Sequence, residues 1–192
     1  MTRFGLLPLL AVLSLAACNG REVIGEQDPT NSADVGEIRA ALTGAVTDVA
    51  VLHSPFPGLS DAQLAPIIAA AMPTGFLASG TFTGDPAQAT GRRYRIVWDF
   101  AAGNNYGTDG GCNTPPVPPA PAAAAAGGVA RVSGTITLCR DGGPFTRVYG
   151  SVDQVAGPSD GNFQSYVRNM AHEILLYPMP IGGPGGGESR GP

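Results

Sequence analysis

Two runs decide the fold: Val129-Ala130-Arg131-Val132-Ser133-Gly134-Thr135-Ile136-Thr137-Leu138-Cys139 and Phe145-Thr146-Arg147-Val148-Tyr149-Gly150-Ser151-Val152-Asp153. Both show the two-residue period of a strand with one apolar side. In the first, Val132, Ile136 and Leu138 oppose Arg131, Ser133, Thr135 and Thr137. In the second, Val148 and Val152 oppose Arg147, Tyr149, Ser151 and Asp153. Between them stand the turn formers Asp141-Gly142-Gly143-Pro144. So short a connection predicts an antiparallel hairpin. A sheet with one apolar face needs a cover on that side, and helices are the usual one.

Upstream lie two more strand-like runs, 75–83 and 92–100, parted by Gly84-Asp85-Pro86. In the later one Tyr94, Ile96, Trp98 and Phe100 alternate with Arg93, Arg95, Val97 and Asp99. Val46 to Leu52 is short and valine-rich and reads as a strand, its place in the sheet left open. Helical spacing appears three times. Residues 35–42 carry apolar side chains at Val35, Ile38, Ala41 and Leu42, with Asp34 before them and Gly44 after. Ser60 and Gln63 have capping-box spacing ahead of Leu64, Ile67, Ile68, Ala71 and Met72. Pro66 interrupts that register, and an interior proline costs about 3 kcal/mol, so the helix has an alternative start just before Pro66. Residues 163–177 align Phe163, Val167, Met170, Ala171 and Ile174 behind Ser159 or Asp160 as cap, and Pro178 stops them.

Helix, strand, helix, four strands, helix therefore spells one α+β domain over 35–178. Its expected form is a mainly antiparallel sheet of four to five strands with helices packed on one face. An insert at about 104–128 breaks the pattern. It holds Pro115-Pro116-Val117-Pro118-Pro119-Ala120-Pro121, five alanines and two glycines. The prolines predict an extended linker that need not fold, although Pro115 to Pro118 also fits a PxxP ligand pattern. Residues 179–192 are glycine-rich and are expected to be disordered.

The N-terminus is built differently. Arg3 precedes an apolar run from Phe4 to Leu15, long enough for a secretory signal and too short to span a bilayer comfortably. Leu15-Ala16-Ala17-Cys18 follows, and in that order the three parts resemble the signal peptide and lipobox of bacterial lipoproteins. The resemblance implies removal of residues 1–17, a diacylglyceryl thioether on Cys18 and acylation, commonly palmitate, of the new amino terminus. An ordinary secretory signal cleaved after Ala17 is the alternative. Residues 18–34, with Asp28-Pro29-Thr30-Asn31-Ser32, are expected to be a flexible tether. In enterobacterial lipoproteins an aspartate after the cysteine resembles an inner-membrane retention signal. Asn19 at that position implies the outer membrane, facing the periplasm.

Composition narrows the partners. The formal charge is −4, and loss of Arg3 takes it to −5, so nothing suggests nucleic-acid binding. All 11 basic residues are arginine. With Cys18 assigned to lipid, Cys112 and Cys139 remain as an even pair, which in an oxidising compartment predicts one disulfide. A reactive thiol or metal site is the alternative, but there is no CxxC and only His53 and His172 could assist. No cofactor is implied.

Strand alternation supplies one candidate surface. If helices cover the apolar face, Arg93, Arg95, Arg131, Arg147 and Tyr149 gather on the other. Guanidinium forks suit phosphate and carboxylate, so an anionic envelope component or an envelope protein is the expected partner besides the membrane itself. Cross-strand pairing with Asp99 and Asp153 is the structural alternative. Chemistry is thinly represented. His172 and Glu173 are adjacent on one helix and do not face each other. His53-Ser54 stands before Pro55 without a supporting motif, and neither GxSxG nor HExxH occurs. The loop Asn104 to Gly110 lacks the closing acid of a calcium hand. The expectation is a non-catalytic binding or envelope-assembly lipoprotein. An envelope enzyme of unrecognised type and a purely structural lipoprotein are the alternatives.

Overall fold

A computed structural model describes residues 22–28, 35–73, 80–101, 109–121 and 127–176. The expected signal peptide, Cys18, the glycine-rich tail, and the parts of the expected strand and insert at 75–79, 104–108 and 122–126 lie outside the described residues. The chain order is β1 (Glu22–Asp28), α1 (Val35–Leu42), β2 (Val46–Leu52), α2 (Asp61–Ala71), β3 (Thr81–Thr83), β4 (Tyr94–Asp99), β5 (Val129–Arg140), β6 (Gly143–Val155) and α3 (Gly161–Leu176). The strands form one sheet of six in the order β1-β6-β5-β4-β2-β3.

The α+β class is as expected, and the sheet is mixed. β1, β6, β5 and β4 pair antiparallel, whereas β2 runs parallel to both of its neighbours, β4 and β3. Parallel neighbours need a crossover, and α2 supplies it between β2 and β3. The valine-rich run thus becomes an interior strand, and Val49 and Val51 on its helix-covered face are buried in the main core. The hairpin is tighter than its sequence suggests. Asp141 and Gly142 both have positive φ, 52° and 81°, as a two-residue type I′ turn requires. Gly143 and Pro144 already belong to β6.

Three further expectations are corrected. The stretch 18–34 is not a tether throughout, since 22–28 form β1 along β6, with Glu22 opposite Val152 and Asp28 opposite Arg147. Six strands therefore replace four to five. The cause is an edge: β6 is 13 residues long, and without β1 its outer row of amides and carbonyls would lack partners. Second, α2 starts at Asp61 behind Ser60, as the capping-box spacing predicts, so only the alternative start just before Pro66 falls, and Pro66 lies inside the helix. Gln63 Oε1 accepts the Ser60 backbone N–H at 2.9 Å, which fixes that start. Third, residues 109–121 of the insert lie on the sheet.

One main core lies between the sheet and the helices. Ile38 and Leu42 of α1, Leu64 and Ile68 of α2, and Phe163, Val167, Met170 and Ile174 of α3 bury against Ile96, Trp98, Ile136, Leu138, Val148 and Val152. All three helices thus cover the same sheet face. Aromatic rings join the layers: Trp98 meets Tyr166 edge-on at 6.2 Å, and Phe56 meets Phe163 at 5.0 Å. Tyr166 is fully buried, and its hydroxyl donates to the Gly150 carbonyl at 3.1 Å. Asp160 caps α3 by accepting the Asn162 N–H at 2.7 Å. Among the described residues no helix is long and apolar enough to cross a membrane.

Candidate functional site

The sheet face away from the helices has its own cover. Val97, Cys112 and Cys139 are buried there in a second small core with Ala50 and Leu52. Cys112 and Cys139 form the expected disulfide, with Cα atoms 5.6 Å apart. The approach to Cys112 is close enough to exclude side chains. Gly111 has φ +75°, and a Cβ there would lie 2.6 Å from Leu52 Cδ1. The chain then passes over the sheet through Thr114 and the proline run and reaches α2. There the Ala120 N–H donates to the Ala62 carbonyl at 3.4 Å, and Gln63 Nε2 donates to the Pro121 carbonyl at 2.6 Å.

Pro66 explains the first of these contacts. In an uninterrupted helix the amide at 66 would bond the carbonyl four residues back. Proline has no N–H, so the Ala62 carbonyl is left without that donor, and Ala120 provides one. The same turn of α2 is approached by Gly84, where a Cβ would lie 2.3 Å from the Pro66 nitrogen.

Beneath the strap sits an ion pair. Asp48 on β2 and Arg95 on β4 are direct register partners, with Arg95 Nε 2.7 Å from Asp48 Oδ2. Their side chains are only 12% and 16% exposed. Arg95 Nη1 also donates to the Thr114 carbonyl, tying the strap to the pair. Burial pushes the Asp48 carboxyl above its ordinary value, Arg95 opposes this by charge and hydrogen bonding, and Asp85 adds to the rise. Shallow clefts flank the pair. One of about 170 Å³ runs between Asp48, Asp61, Arg95, Pro115 and Val117. The other, about 440 Å³ and more open, lies between Asp48, Arg92, Tyr94, Arg95 and Pro116.

Four of the five residues expected to form a basic surface share one sheet face. These are Arg95, Arg131, Arg147 and Tyr149, on the face away from the helices, as the registers of β4, β5 and β6 require. Arg93 does not join them, because it precedes β4 and reaches Glu37 of α1 at 2.9 Å and Asp141 at 3.3 Å. Arg131 lies 3.5 Å from Asp153 and donates to Ser151 Oγ at 2.9 Å. Arg147 is 4% exposed under Gly110, whose Cβ, if present, would lie 2.9 Å from Arg147 Nη2. Tyr149 is half-buried opposite Thr135. An open basic face is thus replaced by one that is partly paired with acids and partly strapped.

Sequence reasoning passed over Asp48 and gave Gln63 only a capping role. Asp48 left a signal, a carboxylate inside a run of apolar residues. For Gln63 the capping role was legible, and the bond to Pro121, 58 positions away, had no local trace. Of the two histidines, His53 places Nδ1 2.8 Å from Asp99 Oδ1 while 65% exposed. It stands at positive φ, 57°, where Asp61 accepts the backbone N–H groups of His53 at 3.2 Å and Ser54 at 2.6 Å. His172 and Glu173 are half-buried on α3, and each has an interaction partner. Among the described residues no group of three or more His, Cys, Asp or Glu is placed to hold a metal ion.

No family model matches the chain. No curated protein matches it. Among solved structures, two PelC dodecamers from Paraburkholderia phytofirmans, one of them a single-substitution variant, align with it at a TM-score of 0.40. They are 14% (the variant) and 13% identical, and both alignments cover 82% of this chain and 96% of the other. A superposition that loose transfers no property to this chain.

Proposed function

We propose that the chain is a lipoprotein of the bacterial envelope, anchored through Cys18, facing the periplasm from the outer membrane, with a non-catalytic domain that binds or assembles a partner. The observation that carries the anchor is Leu15-Ala16-Ala17-Cys18 at the end of an apolar run behind Arg3. The Cys112–Cys139 bond fits an oxidising compartment. For the binding role, the pairing of Arg93, Arg95 and Arg131 with acids turns the reading from an anionic envelope component toward a protein partner. A second reading, an envelope enzyme, draws on the His53–Asp99 pair, whose geometry would orient an imidazole for proton transfer.

The test is mass spectrometry of the N-terminal peptide from membranes of the producing bacterium, with Cys18→Ser alongside. The expected result is a peptide beginning at Cys18 with diacylglyceryl and acyl masses, and release of the Cys18→Ser protein from the membrane. An unmodified Cys18 would overturn the anchor. Density-gradient fractionation then separates outer from inner membrane.

A further inference from the structure

We propose that residues 115–121 form a pre-ordered polyproline ridge that docks in an aromatic-lined groove of another envelope protein. This rests on the binding-module reading above and names its partner by chemistry.

Covalent sterics fix the shape of the ridge. Thr114, Pro115, Val117, Pro118 and Ala120 each precede a proline, which confines them to extended backbone. Pro116 and Pro119 have φ locked by their rings. None of the peptide bonds is cis, and no helix, strand or turn interrupts 115–121. Such a run forms the left-handed three-residue helix of polyproline, about 3.1 Å per residue and about 20 Å long here.

The ridge is also held at both ends. Before it stand the Cys112–Cys139 bond and the Arg95–Thr114 contact. After it stand the bonds from Ala120 to Ala62 and from Gln63 to Pro121. These contacts consume backbone groups at the ends, while the middle lines the clefts over Asp48 and Arg95 on one side and stays open to solvent on the other. Residues 115–119 are all exposed. Val117, 57% exposed, is the large apolar side chain left in solvent among the described residues, while the aromatic cores are closed.

An exposed apolar side chain within an immobilised proline run matches one known mode of peptide recognition. Proline rings and the residue between them dock between parallel aromatic side chains, and little ordering entropy is lost because the backbone is already fixed. A linker needs no such anchoring. A second copy of this chain is a poorer occupant, because every described aromatic side chain is buried or half-buried.

The experiment uses the full chain in its own cells, with a benzophenone amino acid at position 117 and, as a control, at the exposed Arg168 on α3. Illumination should give a discrete adduct from 117 and none from 168. The partner peptide, mapped by mass spectrometry, should carry two or more of Trp, Tyr and Phe. Replacing Pro116, Pro118 and Pro119 by serine should reduce the adduct at least tenfold while the Cys112–Cys139 bond still forms. Should that variant fail to accumulate, Ala120→Pro serves instead: it removes the N–H that holds Ala62 and keeps the proline run, and it should retain the adduct. Absence of an adduct at 117, equal adducts at both positions, a partner contact without aromatics, a lipid adduct, or an adduct unchanged by loss of the prolines each overturns the ridge. Lipidation of Cys18 is read separately from the N-terminal peptide, so failure of the anchor and failure of the ridge are told apart.

Discussion

A carboxylate in the middle of an interior strand carries the electrostatic cost of this fold. Asp48 has Arg95 beside it, yet burial outweighs that partner, and its carboxyl lies above the ordinary value of 3.8. The native state therefore holds the proton more tightly than the unfolded chain does. The stability tied to Asp48 is complete below pH 3.8 and is lost as pH rises through the raised value. At neutral pH, Asp48→Asn should be no less stable than the wild type, and the difference should grow in its favour between pH 4 and 7. Arg95→Met should do the opposite. Leaving Asp48 buried without its partner should cost about 2–3 kcal/mol at neutral pH, most of it returned by adding Asp48→Asn. Urea melts of the four proteins at both pH values check this; an Arg95→Met protein as stable as the wild type would remove the pair from the energetics. The sequence showed this residue without its meaning. Asp48 stands out within Val-Ala-Val surroundings, but its pairing with Arg95 needs β2 parallel to β4, a register set 47 residues apart.

At the scale of elements, the strap depends on an imperfect helix. Pro66 weakens α2 and in doing so frees the carbonyl that receives Ala120. Pro66→Ala would restore the helical bond, so the two uses of one oxygen compete. The expected outcome is a helix gaining about 1 kcal/mol, net of the added freedom of the unfolded chain. The Ala120 amide should exchange its hydrogen faster, a change that amide exchange read by mass spectrometry or NMR detects. Unchanged exchange at Ala120 would mean the strap is held elsewhere. At its other end the strap hangs on a covalent bond. Closing a span of 27 residues stabilises by about 3–4 kcal/mol on the chain-entropy model, so paired Cys112→Ser and Cys139→Ser changes should lower stability by that amount. Proteolysis within 109–121 should then be faster than in the wild type. Helix periodicity and strand alternation made α1, α3, β4, β5 and β6 readable. The strap was not readable, because low-complexity composition describes what a segment lacks, and here the ordering contacts come from Gln63, Ala62 and Arg95, far off in sequence.

For the whole molecule, the single domain and its three covering helices could be anticipated, since apolar faces must meet. The sixth strand could not. Glu22 to Asp28 has little strand signal of its own, with Gly25 and four charged or amide side chains, and it pairs because β6 would otherwise leave an edge. That strand shortens the leash. Only Asn19, Gly20 and Arg21 separate Cys18 from Glu22, and a chain advances at most about 3.6 Å per residue. With Cys18 acylated as proposed, the start of β1 stays within about 14 Å of the Cys18 Cα. The domain then roams over a small patch of bilayer instead of sampling the periplasm freely. The β5–β6 turn, about 30 Å along the sheet from the Glu22 end, is the part that can reach outward. Cys112 is bonded near that turn and Pro121 lies back toward the anchored end. With the anchor and the ridge as proposed, the proline run is a rail directed from the outer tip toward the lipid, and a partner docking along it would arrive with its own orientation to the membrane already set.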